Sequence, residues 1–234
     1  MKYKHSLLII FLIILIDQVL KIYVKLNFNY GESVSVMGDW FQFYFIENDG
    51  MAYGMKIMDS TMGKMILTVF RLFAVGFGFW YLKKIFTQDK YKTGLLVCAS
   101  MILAGAAGNL IDSIFYGVMF DKGLAYNPMV QDYVSYVGIA KMFNGQGYAP
   151  LLHGCVVDMF YFPIIDTTLP SWMPIVGGNH FRFFEPIFNF ADFAISTGVI
   201  VLLVFQSKLL QPKHSFLVRE AQKKAQESAN KDVN

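Results

Sequence analysis

Glu185-Pro186-Ile187-Phe188-Asn189-Phe190-Ala191-Asp192-Phe193-Ala194-Ile195-Ser196, continuing through 199–205, is the last long apolar stretch of the chain. Proline suits the first turn of a helix, where its missing N–H is not needed, so the stretch is expected to become helical at Pro186. Asn189, Asp192 and Ser196 then recur at i, i+3, i+7 and share one face. A carboxylate inside a membrane helix costs about 2.5–3.5 kcal/mol on insertion scales. Asp192 is therefore expected to face a polar interior and to have a partner.

Composition sets the solvent. The 234 residues are 55% hydrophobic, 17% aromatic and only 16% charged, with mean hydropathy +0.43. So few charges among so many aromatics indicate a membrane protein. A net charge of +3, placed in short blocks, argues against a nucleic-acid partner. Cys98, inside an apolar run, and Cys155, beside His153, offer no disulfide framework. No internal repeat is visible, which gives no support to a repeat-built transporter.

Working outward from the last helix, three more stretches are long and apolar enough to span, giving spans at about 6–26, 61–82, 93–116 and 186–209. The first resembles a signal peptide but lacks a small-residue cleavage site, so it is expected to remain as an uncleaved span. Asp17 and Lys21 stand i, i+4 with the acid first, the favourable order for a helical pair. Arg71, several residues inside the second span, must snorkel or pair with an acid. Asp59-Ser60 is expected to cap that span.

The basic N-terminus, the lysine-rich link at 83–92 and the basic tail at 211–234 share one side of a four-span chain. The positive-inside rule makes that side cytoplasmic. Segments 27–60 and 117–185 then lie outside, and Lys21 and Lys25 are expected to snorkel from the outer end of span one. Trp40-Phe41-Gln42-Phe43-Tyr44-Phe45-Ile46 suits a strand and an interface. It leads into a small-residue turn over 47–54. Val130, Val134 and Val137 suggest a short surface helix, and Asp166-Thr167-Thr168 a turn. Residues 151–162 are too short to cross, and Pro163 ends them. They carry Asp158. The result is a single membrane domain over 1–210 with a polar tail.

Span three carries Gly105, Gly108, Asn109 and Asp112 at i, i+3, i+4, i+7. Small residues on one stripe let a neighbouring backbone approach. Packing does not account for the amide and carboxylate on the same face. Under the topology above, Asp158 and Asp192 both belong to outer ends. Two carboxylates brought together share a proton and titrate as a pair. Such a dyad can deprotonate a water toward a peptide carbonyl and protonate the leaving amine. A proton relay or two unrelated structural acids would place the same residues there. The four histidines show no metal-ligand spacing, and no HExxH, GxSxG, P-loop or GxGxxG occurs.

Five stretches, in order, match one family. The chain resembles lipoprotein signal peptidase (signal peptidase II, prolipoprotein signal peptidase), a bacterial inner-membrane aspartic endopeptidase. Asp17-Gln18-Val19-Leu20-Lys21 is similar to its D-Q-x-x-K, and Asn48-Asp49-Gly50-Met51-Ala52-Tyr53-Gly54 to its N-x-G-x-A-F-G. Gly105-Ala106-Ala107-Gly108-Asn109-Leu110-Ile111-Asp112 resembles G-G-A-x-G-N-L-I-D-R. Val156-Val157-Asp158-Met159-Phe160 resembles V-V-D-F, and Phe188-Asn189-Phe190-Ala191-Asp192 resembles F-N-x-A-D. The resemblance implies an all-α polytopic fold of four membrane helices with a small outer β-cradle. To these the 117–154 stretch adds an outer insertion longer than the family's usual link.

It further implies that Asp158 and Asp192 are the catalytic pair. Asn48, Gly50, Ala52, Gly54, Gly105, Gly108, Asn109, Asp112, Asn189 and Ala191 would shape the substrate groove, and Asp17 and Lys21 would support the first helix and the lipid side of that groove. The implied substrates are diacylglyceryl-modified prolipoproteins, cut before the lipidated cysteine while their lipid tails stay in the bilayer. No metal or other cofactor is implied, and globomycin-type cyclic peptides would inhibit. Ser113 stands where the family has arginine after Asp112, and Arg71 is the expected substitute. A small proton-coupled transporter using the same acids as a relay is the alternative.

Overall fold

The computed structural model describes residues 2–49, 61–130, 132–174 and 176–231. The expected Asp59-Ser60 cap and Gly50, Ala52 and Gly54 lie outside them.

Among the described residues, three helices are long and apolar enough to cross a membrane: Tyr3–Asn27, Met62–Gln88 and Thr93–Met119. The first is α1 (Tyr3–Asn27), and the second lies in α2 (Thr61–Gln88). The third joins α3 (Thr93–Ile111), a π-helical turn (Asp112–Tyr116) and α4 (Gly117–Met119). Their surface inverts that of a water-soluble bundle. Leu8, Phe11, Phe70 and Phe73 are exposed, while Ser6, Asp17, Lys21, Lys25, Lys64 and Thr68 are buried. Apolar surface of this extent is stable against lipid rather than water. The chain is a polytopic membrane protein.

The last apolar helix, α5 (Phe190–Val204), is shorter than expected and begins after Asn189, not at Pro186. Ile187 and Phe188 form β8 (Ile187–Phe188) instead, paired antiparallel with Tyr161 and Phe160. Asn189 then caps the helix by accepting the Asp192 N–H at 2.9 Å, in a reciprocal box with the Asp192 side chain. Asp192 is therefore in the first turn, where a negative charge meets the positive end of the helix dipole. Beyond α5 come α6 (Gln206–Leu209) and α7 (His214–Lys231). Lys213 and Arg219 pair with Asp89 of the 83–92 link at 2.5 and 2.7 Å.

Sheet content exceeds what an all-α class allows. The four-stranded antiparallel sheet runs β1-β2-β5-β8, with β1 (Ser33–Met37), β2 (Phe41–Asn48) and β5 (Val156–Tyr161). The strand expected around 40–46 is β2, and the 151–162 stretch supplies β5. Two hairpins add β3 (Ala125–Asn127) with β4 (Asp132–Val134), and β6 (Ile165–Thr168) with β7 (His180–Phe183). The expected valine surface helix is thus replaced by a hairpin. Tyr126 and Tyr133 oppose each other across it, a cross-strand aromatic pair that favours strand. The Asp166-Thr167-Thr168 turn is likewise a strand.

The expected snorkelling of Lys21 and Lys25 does not occur. Both are wholly buried and ion-paired, Lys25 with Glu47 and Lys21 with two aspartates. Lys25 lies 5.0–5.4 Å from the ring centroids of Phe120, Tyr136 and Tyr148, and Glu47 also accepts from the Tyr136 hydroxyl and the Leu124 N–H. This hub ties the 117–154 insertion to α1 and β2. Phe120 and Ala140 of the insertion share a buried core with Val24, Phe45, Tyr116, Val157 and Met159.

α3 and α5 approach backbone to backbone at Gly105. A Cβ built on Gly105 would stand 2.3 Å from the Ala191 carbonyl oxygen and 2.6 Å from Ile195. One on Gly108 would stand 2.8 Å from an Asp17 carboxylate oxygen. Gly105→Val is therefore expected to push the start of α5 off α3 and to cost about 1–3 kcal/mol. The check is a lowered thermal midpoint in detergent, with Gly76→Ala, at an open helical position, as a control that should not lower it.

Candidate active site

Four elements converge on one buried polar cluster. β5 brings Asp158, opposite Ile46 of β2, and only 3% of its surface is exposed. The start of α5 brings Asn189, fully buried, and Asp192, half-buried. α3 with its π turn brings Asn109 and Asp112, and α1 brings Asp17, Gln18 and Lys21.

Asn189 joins the two acids. Its amide nitrogen donates to Asp158 Oδ1 at 2.6 Å and to Asn109 Oδ1 at 3.1 Å. The Asn109 amide nitrogen in turn donates to Asp192 Oδ1 at 2.7 Å. These bonds fix both amides, because each oxygen faces a donor and each nitrogen faces a carboxylate. The distribution of partners is unequal. Asp192 accepts from the Asn109 side chain and, at 3.4 Å, from the Asn189 N–H. Asp158 is deeper and is pushed up to about 8, first by burial and then by the charge of Asp192. Lys21 and the Asn189 bond oppose that rise without cancelling it. Near neutral pH Asp158 therefore keeps its proton.

Beneath them lies a buried ion cluster. Lys21 Nζ stands 2.9 Å from Asp17 and 2.8 Å from Asp112, and donates to Asn109 Oδ1 at 2.8 Å. Gln18 donates to both carboxylates and accepts from the Tyr116 hydroxyl. Each carboxylate also holds a backbone. Asp17 accepts the Ala191 N–H at 2.8 Å, and Asp112 accepts the Val157 N–H at 3.3 Å. Val157 and Ala191 immediately precede Asp158 and Asp192. One ammonium thus sets two grips, each next to an acid of the upper pair. The π turn starting at Asp112 belongs to this arrangement, since such bulges re-aim the residues of a helix. Gly154 permits it: a Cβ there would stand 2.0 Å from the Asp112 carbonyl oxygen.

Of the residues expected at the site, Asp158, Asp192, Asn109, Asn189, Asp112, Asp17, Lys21, Gly108 and Ala191 fall within this network or its contacts. Gly105 packs against α5 just below, and Asn48 stands in β2 at the register of Val156. Gln18 and Tyr116 were not expected. Gln18 sits inside the quoted Asp17–Lys21 motif, so its position was available, but only the fold shows that it spans two acids. Ser113 is buried and donates back to the Asn109 carbonyl at 3.0 Å. Lys21 occupies the place of a cation beside Asp112. Arg71, half-buried on α2, interacts electrostatically with Asp192 and Asp49. Cys155 and His153 do not meet: the thiol is buried beside Lys64 Nζ at 2.8 Å, while His153 bonds the Leu151 carbonyl.

Comparison with known proteins agrees over most of the length. The family model described as signal peptidase (SPase) II matches residues 9–208. A lipoprotein signal peptidase of Porphyromonas gingivalis is 45% identical over 197 residues, covering 84% of this chain and 80% of its own. One from Amoebophilus asiaticus is 33% identical over 212 residues, 89% of this chain and 80% of its own. A solved bacterial membrane enzyme superposes with TM-score 0.51 at 23% identity, covering 88% of this chain and 94% of that one. At that identity the likeness is one of fold.

Proposed function

This chain belongs to the signal peptidase II family of membrane aspartic endopeptidases, and from that premise we propose that Asp158 and Asp192 hydrolyse diacylglyceryl-modified prolipoproteins just before the lipidated cysteine. Removal of signal peptides from prolipoproteins is the activity that the family carries. The observation that supports this assignment of residues is the Asp158–Asn189–Asn109–Asp192 chain of hydrogen bonds, which ties an acid whose proton burial holds to a second, half-buried acid.

Ionised Asp192 takes a proton from a water as the water oxygen attacks the scissile carbonyl. Asp158 gives its proton to the carbonyl oxygen, forming a neutral gem-diol. Asp192 then passes its proton to the amide nitrogen while Asp158 takes one from a diol hydroxyl, and the C–N bond breaks. The products are an acid and a free amine, and both aspartates return to their starting states. The diacyl anchor confines the substrate to the depth of the pair, which removes much of the positioning cost.

The proposed topology has four spans in the bacterial cytoplasmic membrane, with α5 and α6 completing the fourth. Both termini are cytoplasmic, and the sheet, insertion and aspartates lie on the outer side, as the lysine distribution favours. Residues 1–210 form one membrane domain and 211–234 the tail. The groove between acids and lipid would also take globomycin-type cyclic peptides.

The test is cleavage of a diacylated prolipoprotein in detergent across pH. A pair sharing one proton predicts a bell-shaped profile. Its alkaline limb falls near the Asp158 value of about 8, because raising pH through that point removes the proton the carbonyl oxygen needs. Wild-type protein that leaves this substrate intact would favour the transport alternative.

Arg71 adds a cation on the Asp192 side. Arg71→Gln removes a cation that interacts with Asp192, so slower cleavage at unchanged thermal stability is expected. A variant with unchanged stability and activity would remove Arg71 from the site.

A further inference from the structure

We propose that the β6–β7 hairpin, which no part of the chemistry above uses, is an arm that rests in the headgroup region of the membrane. Its register is the first ground. Ile165 opposes Phe183 and Thr167 opposes Phe181, so these four share one face, whereas Thr168 and His180 lie on the other with Arg182. The apolar face is not covered: Ile165, Phe181 and Phe183 are each 41–51% exposed, and Trp172 in the connecting loop is 79% exposed. The two strands pack chiefly on each other. A lone two-stranded hairpin is marginal in water and needs something against its apolar face.

The loop is folded rather than loose. Leu169 and Gly178 or Asn179 exchange backbone hydrogen bonds, Gly177 donates to the Met173 carbonyl, and Met173 donates to the Pro170 carbonyl. Trp172 is carried outward on that wrapped tip.

The root of the hairpin identifies its surroundings. Phe162 precedes β6 and Phe184 follows β7. Phe162 stacks on Phe41 at 4.7 Å and on Phe188 at 5.8 Å, with Trp40 at 6.2 Å, and Phe184 meets Phe188 edge-on. This row stands at the head of α5, whose Phe193, Ile200 and Leu203 are exposed as a lipid-facing surface. Trp40 in this row and Trp172 at the hairpin tip have the amphipathic ring that is enriched at the lipid–water boundary. The hairpin leaves from that boundary and returns to it, so lipid is the occupant its open face meets. The contact has a consequence for depth. The hairpin is the covalent link between β5, bearing Asp158, and β8 with α5, bearing Asp192, so an arm seated at the interface holds both at one level. Only the choice of the outer leaflet rests on the topology proposed above.

The full chain carries three tryptophans, so Trp40→Phe/Trp80→Phe leaves Trp172 as the sole tryptophan, excited selectively over the tyrosines. In vesicles of phosphatidylethanolamine and phosphatidylglycerol, its emission is expected to be blue-shifted. Lipids brominated near the glycerol backbone should quench it severalfold more than lipids brominated at the chain ends, and acrylamide should quench it weakly. Adding Phe181→Ser/Phe183→Ser should restore water-like emission with an unchanged thermal transition. Water-like emission in the parent would overturn the proposal. So would a blue shift that appears only on adding diacylated prolipoprotein, which would make the arm a substrate clamp, or only at high protein density, which would make it a self-contact. Bromine quenching that survives the double serine change would overturn the assigned face. Depth is read without turnover, so a failed cleavage assay leaves this result standing.

Discussion

Asp158→Asn or Asp192→Asn is expected to lower prolipoprotein cleavage by roughly 10²–10⁴-fold, the usual contribution of a positioned acid or base. Asparagine keeps the outline of the side chain, and at 158 its carbonyl can still accept from the Asn189 amide that now bonds Asp158 Oδ1. The loss is then chemical rather than structural, and the thermal midpoint of Asp158→Asn should not fall. It should rise slightly, because a group held buried against its own ionisation is replaced by one that never ionises. Asp192→Asn is less silent. The Asp192 side chain also faces the Asn189 N–H at the helix cap, so a modest destabilisation accompanies the loss of rate. Single-turnover cleavage alongside thermal unfolding separates the two effects. Variants that retain full cleavage would remove these residues from the chemistry.

Lys21→Met should produce the largest loss of stability, about 3–5 kcal/mol, because it leaves two buried carboxylates without their cation. Asp17 and Asp112 are both wholly buried, and Lys21 stands within 2.9 Å of each. Cleavage should fall with it, since the same carboxylates hold the backbone N–H groups of Ala191 and Val157. A compensated variant distinguishes charge from shape. In Asp17→Asn/Lys21→Met/Asp112→Asn no ion is stranded, and both amides can still accept from the backbone. Much of the stability is expected to return. Denaturant unfolding in detergent reads both variants, and a Lys21→Met protein as stable as wild type would mean that the cluster is not an ionic clamp.

Much of this organisation was legible from side-chain chemistry. The long apolar runs set the solvent, and the aromatic alternation around 41–46 announced a strand. The Gly105–Asp112 stripe announced a close helix contact, which the Gly105 approach to Ala191 supplies. Other features depend on partners distant in the chain. Proline at 186 fits the first turn of a helix by local geometry alone. The Asn189 cap and the pairing of Ile187 and Phe188 with β5 place the start later, and both depend on a strand from elsewhere in the chain. The valines at 130–137 have spacing compatible with a helix, but tyrosine pairing across β3 and β4 decides for a hairpin. Lys25 looked like a snorkelling residue because its partner, Glu47, is distant in sequence and its aromatic surroundings come from the insertion.

The bilayer as solvent, the apolar spans and the acids in need of partners can all be read from the residues alone. These follow from composition and local spacing, because the cost of a charge in lipid is a property of one residue in one segment. The links from Asp158 through Asn189 and Asn109 to Asp192, and the hold of Lys21 on both supporting backbones through Asp17 and Asp112, arise only on packing. Those bonds join residues far apart in the chain. Their directionality acts over about 3 Å, a distance that exists only once α1, α3, β5 and α5 have packed.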